Sequence, residues 1–177
     1  MKLLPSANES PDSNRGGGQK QKIMKKLIAL IILTVITVTG CSSTKGTASS
    51  LQKESEGLVF EYTAMTRGTY KNVVVTPYQI TTSQDADKKN SVTKQLVAEE
   101  WKKLYEAYKS IKDVKTIGDI QAPTKKHQYD GALAASLTIK MANQVYSSPT
   151  FDHGNPPAEI KALTDEIVTL SDLNKTK

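Results

Sequence analysis

A single cysteine, Cys41, stands in this chain of 177 residues, and one thiol can build neither an internal disulfide nor a structural zinc site of the Cys type. Histidine is nearly as scarce, with only His127 and His153, which leaves few ways to assemble a metal or acid–base site. Apolar runs are short, with one exception between Leu27 and Thr39. As a helix that run would cover about 20 Å against about 30 Å of bilayer hydrocarbon, too little to span. Phosphate loops and dinucleotide fingerprints are missing, as are Gly-x-Ser-x-Gly or Ser-x-x-Lys motifs in a strand-to-helix context. No cofactor is expected.

The net charge of +6 looks like a nucleic-acid signal until it is divided along the chain. Residues 1–40 hold six Lys or Arg and two Asp or Glu, so only +2 falls on residues 41–177. There Lys and acidic residues are interleaved as on an ordinary solvated surface. No nucleic-acid partner is expected.

Two lysines, Lys25 and Lys26, precede the apolar run, and Val38-Thr39-Gly40-Cys41 closes it. A charged start, a short apolar stretch and small residues before the cut are the parts of an export signal. This segment, residues 24–40, resembles the signal peptide and lipobox of bacterial lipoproteins. The resemblance implies that Cys41 carries a diacylglycerol, that the leader is removed before it, that the new amino group is often acylated as well, and that the protein is anchored stably, since two or more chains hold it in the membrane. Ser42 after the cysteine implies the outer membrane, facing the periplasm. Residues 1–23, with Gly16-Gly17-Gly18 and no apolar periodicity, are expected to be an over-long extension ahead of Met24, or disordered and removed.

Residues 41–57 are mostly Ser, Thr, Gly, Lys, Glu and Gln, the composition of a flexible tether. Beyond it, residues 58–173 are expected to form one domain, followed by a disordered tail over 174–177. Leu58, Phe60, Tyr62 and Ala64 alternate with Val59, Glu61 and Thr63, the period of a half-buried strand. Thr66-Arg67-Gly68-Thr69 predicts a turn, residues 70–76 a second strand and 78–82 a third, with a loop over 83–91. Between Val92 and Ile111 the spacing becomes helical, and Val97, Trp101, Leu104, Tyr105, Tyr108 and Ile111 form one stripe, read as core. A long connection over 112–129 leads to strands at 132–141 and 145–151. Ile160, Leu163, Ile167 and Leu170 predict a last helix, with Asn155 as its cap and Pro156 as its first residue. The expected fold is α+β: an antiparallel sheet of about five strands in βββαββα order, with two helices on one face. The segments Phe60 to Gly68 and Phe151 to Pro156 are similar to small uncharacterised lipoproteins of the Bacteroidota, a resemblance that transfers no activity.

Two constellations remain. His127, Asp130, Asp152 and His153 form the one His/Asp grouping, and convergence in space would make a metal site or an acid–base pair for an envelope hydrolase. The blander expectation is that Asp152 and His153 bond backbone groups. Arg67 is the sole arginine of residues 41–177, and its fork of donors suits a carboxylate or phosphate. The leading expectation is a non-enzymatic module that binds an envelope protein or peptide through a sheet edge or the Arg67 hairpin. A protease inhibitor presenting that turn is a further alternative.

Overall fold

The computed structural model describes residues 43–171 and residue 173. Cys41, the leader and the segments 1–23 and 174–177 lie outside the described residues.

Strand β1 (Leu58–Thr66) is the centre of the sheet, and its expected alternation is observed: Leu58, Phe60, Tyr62 and Ala64 are buried. A two-residue turn at Arg67-Gly68 joins it to β2 (Thr69–Val75). Gly68 takes φ +77, a conformation that glycine adopts without a Cβ penalty. Helix α1 (Ser43–Glu54) precedes β1 in the chain, and after β2 come β3 (Gln79–Ser83), β4 (Val92–Gln95) and helix α2 (Ala98–Lys109). The chain continues through β5 (Ala134–Met141), β6 (Gln144–Ser147), the short β7 (Phe151–Asp152) and helix α3 (Lys161–Leu170). The sheet is antiparallel in the order β4-β3-β2-β1-β5-β6, and β7 pairs with the first residues of β5.

The α+β class and the antiparallel sheet are thus observed, with seven strands and three helices among the described residues rather than five and two. The added elements have physical causes. The presumed tether is helical over Ser43–Glu54 because a few residues dock it: Ala48 is buried, and Gln52 Nε2 donates to Pro77 O at 2.6 Å and Leu96 O at 3.3 Å. The helix expected from residue 92 starts only at Ala98, since the β-branched Val92 and Thr93 extend the sheet. Thr93 Oγ1 meets Thr81 Oγ1 across the strands at 2.9 Å. Val97 therefore leaves the core stripe and is 60% exposed, while the Glu100 carboxylate reaches back to its N–H at 3.0 Å.

The core fills the space between one sheet face and the helices. Trp101 stacks on Phe60 with ring centroids 5.6 Å apart, and Leu104, Ile111, Ile160, Leu163 and Ile167 complete the layer. Trp101 Nε1 donates to Ser55 Oγ at 2.8 Å, so the indole N–H is satisfied where no water reaches. The 112–129 connection is ordered: Asp113 caps a 3-10 turn by accepting from Lys115 N–H at 2.9 Å, and Ile117 is buried in the core. It then passes the outer edge of β6, where Gly118 lies against Ser147 O.

Candidate functional site

Asp152 ends β7 and is only 2% exposed. Its carboxylate collects four donors from the end of the connection: the Thr124 hydroxyl and the Lys126 N–H (2.9 Å) on Oδ2, and the His127 N–H (2.8 Å) and His127 Nδ1 (2.6 Å) on Oδ1. A carboxylate offers about four lone-pair positions, and all of them are filled. Burial pushes the Asp152 pKa upward, but the bonds from Thr124, the His127 and Lys126 backbone and the His127 ring outweigh it, holding the carboxyl well below the usual carboxylate range. Nδ1 of His127 carries a proton in this arrangement, because an ionised acceptor leaves it no other role.

Asn155, expected to cap the last helix, belongs to this knot instead. Its N–H donates to Asp152 O at 2.8 Å and its Nδ2 to Thr124 Oγ1 at 2.9 Å. Helix α3 begins six residues later, at Lys161, after a turn in which Ile160 N–H donates to Pro157 O. Two consecutive prolines delay the helix, since each disfavours the α region for the residue before it, here Asn155 and Pro156.

His153 does not share the knot. Its Nδ1 lies 2.8 Å from Tyr62 Oη, and its backbone N–H donates to Leu133 O. Together with Tyr62, Gly154 and Pro156 it lines a cleft of about 490 Å³ whose other wall is α3, through Thr164, Asp165, Val168 and Thr169. Burial, and after it the Asp165 carboxylate, raises the Tyr62 pKa far above its usual value, so the phenol stays neutral.

The four His/Asp candidates therefore separate. His127 and Asp152 meet, His153 turns to Tyr62, and Asp130 takes φ +59 at the end of the 3-10 turn Lys126–Tyr129, accepting weakly from Thr66 Oγ1 at 3.4 Å. Among the described residues no group of three or more His, Cys, Asp or Glu side chains is placed to hold a metal ion. Arg67 is exposed at the tip of the β1–β2 hairpin, and no hydrogen bond or ion pair engages it among the described residues. Thr124, Tyr62 and Asp165 escaped the sequence reading. Tyr62 alone left a usable signal: a tyrosine on the buried face of a strand needs a partner for its hydroxyl.

No helix among the described residues is long and apolar enough to cross a membrane. No protein-family model, curated protein or solved structure matches the chain.

Proposed function

We propose that this chain is a lipid-anchored, non-enzymatic binding module of the bacterial cell envelope, held through Cys41 at the outer membrane and presenting its Arg67 end to an acidic segment of another envelope protein. The observation that carries this reading is the unengaged guanidinium of Arg67 at a tight hairpin tip. Met65 beside it is 48% exposed. The Thr66–Asp130 contact brings the hairpin to the turn that bears Tyr129, 72% exposed, and the exposed Lys125 and Lys126. Arg, Met and Tyr are the residue types enriched in interface centres, and the surrounding positive charge favours a carboxylate-bearing partner. Asp152, with its acceptor positions filled by the fold, is a structural group in this reading rather than a base or metal ligand.

α1 begins at Ser43, two positions after Cys41, so a lipid on that thiol would keep the domain close to the bilayer rather than on a long tether. The test is a photo-crosslinking residue placed at position 69, beside Arg67, in intact cells. A discrete partner, diminished by the nearby Met65→Ala, is expected. Products identical to those from a probe at position 142, in the β5–β6 turn, would overturn the reading.

The exposed Arg67 turn also favours a second reading, inhibition of a protease that accepts arginine. Stoichiometric, Arg67-dependent inhibition of a trypsin-like enzyme would establish it, and rapid cleavage after Arg67 without inhibition would remove it.

A further inference from the structure

The cleft between His153 and α3 is distinct from the Arg67 end and is built differently. Its polar lining is rich in acceptors. Thr164 Oγ1 donates its hydrogen to Ile160 O or Lys161 O, and Thr169 Oγ1 donates to Asp165 O at 2.7 Å. Each threonine thus keeps only lone pairs to offer a ligand. Asp165 adds a full negative charge on a half-exposed side chain, and its influence reaches Tyr62 on the opposite wall. Pro156 and Val168 supply apolar surface between these groups. Asp165 already holds one ammonium: Lys161 Nζ lies 2.5 Å from Oδ2, one helical turn away. Exposed pairs of this kind contribute little, so an incoming ammonium can displace it at little cost.

We propose that this cleft binds a primary ammonium on an aliphatic stem, as in a lysine side chain of a peptide. The ammonium would sit on Asp165 with Thr169 as a further acceptor, and the methylenes would lie along Val168 and Pro156. A volume of about 490 Å³ accommodates such a group, and falls within the usual roughly 300–1,000 Å³ of small-ligand pockets. The site stands independently of the Arg67 reading.

The test titrates the ¹⁵N-labelled full chain in detergent micelles with Nα-acetyl-lysine amide, and in parallel with Nα-acetyl-norleucine amide, which has the same stem without the charge. Saturable shifts at Gly154, Asp165, Val168 and Thr169 are expected with the lysine compound only, with a Kd in the millimolar range, on the order of −4 kcal/mol. Asp165→Asn should weaken binding about tenfold, the loss of one charge-assisted contact. Lys161→Met should tighten it, because the internal competitor is gone. Equal binding of the norleucine compound, undiminished binding by Asp165→Asn, or no saturable shift at these residues would overturn the proposal.

Discussion

Where β5 begins, the sheet is closed by a buried carboxylate; where β5 ends, it is closed by an aromatic stack. At the first end Asp152 ties β7 to Thr124, Lys126 and His127 through four hydrogen bonds to one charge. At the second, Phe60 lies against Trp101 and Tyr108, with centroids 5.6 and 5.5 Å away, and Tyr108 Oη meets Met141 Sδ at 2.9 Å. Burying apolar rings stabilises the fold at any protonation state, whereas a carboxylate knot works only while it is ionised. The end of the connection, Thr124 to His127, has no apolar residue of its own and is fixed in place because one buried charge gathers its donors.

The aromatic end should give the largest effect. Trp101 is fully buried, and Trp101→Ala should cost about 3–5 kcal/mol, a large part of the roughly 5–15 kcal/mol that holds a typical domain. The loss should be the same at pH 7 and pH 5, as read by urea unfolding. A cost that grows on acidification would mean that this end too depends on charge.

Asp152→Asn should come next, with a different signature. A folded pKa below the unfolded one means that the stabilisation is complete above about pH 3.9, the unfolded value, and drains away as pH falls below it. Asparagine replaces one acceptor oxygen with an NH2 that faces two donors, so Tm should fall by roughly 10 °C at neutral pH. The variant should also lose less between pH 5 and pH 3 than the parent does. Glu61 pulls in the same direction: burial raises its pKa, but hydrogen bonds from Lys140 and Asn72 and the charges of Lys140 and Lys88 lower it on balance. Parallel pH curves for parent and Asp152→Asn would assign the acid loss to groups such as Glu61 and break the contrast.

The aromatic end was the more legible in sequence. Phe60 announces itself by strand alternation, and Trp101 and Leu104 by helical spacing, because apolar burial imposes a period on the chain. The knot has no such period. Asp152 and His127 lie twenty-five positions apart and meet only because the connection between α2 and β5 wraps past β6. Helix α1 was hidden for a similar reason: Gln52 and Ser55 dock it by hydrogen bonds, which composition reads as the polarity of a tether. Helical spacing also reads Val97 into the stripe and starts the helix at Val92, although β-branching and pairing with β3 place Val92 in a strand and leave Val97 exposed.

Ser55→Ala probes the seam between these modes, since Ser55 is a polar residue serving the aromatic end. Without its oxygen the Trp101 N–H is left buried and unpaired, at a cost of about 1–3 kcal/mol, below that of removing the ring. Urea unfolding of Ser55→Ala, Trp101→Phe and the double variant checks the coupling. If Trp101→Phe makes Ser55→Ala nearly neutral, the hydroxyl acts through the indole; a fully additive result would detach it from the stack.

The smallest effect separates the ends through their backbones. Each carries a non-glycine residue in the left-handed region, Asp130 (φ +59) by the knot and Ala142 (φ +50) in the β5–β6 turn. An L-residue pays about 1–2 kcal/mol there, while glycine gives back about 0.5–1 kcal/mol in chain entropy. Ala142 is exposed in its turn, so Ala142→Gly should stabilise by about 0.5 kcal/mol, a rise of roughly 2 °C in Tm. Asp130 tolerates the geometry better as a short polar residue, and its carboxylate accepts from Thr66. Asp130→Gly should therefore gain nothing, and equal gains at both positions would show that the Thr66 contact does not hold the carboxylate end together.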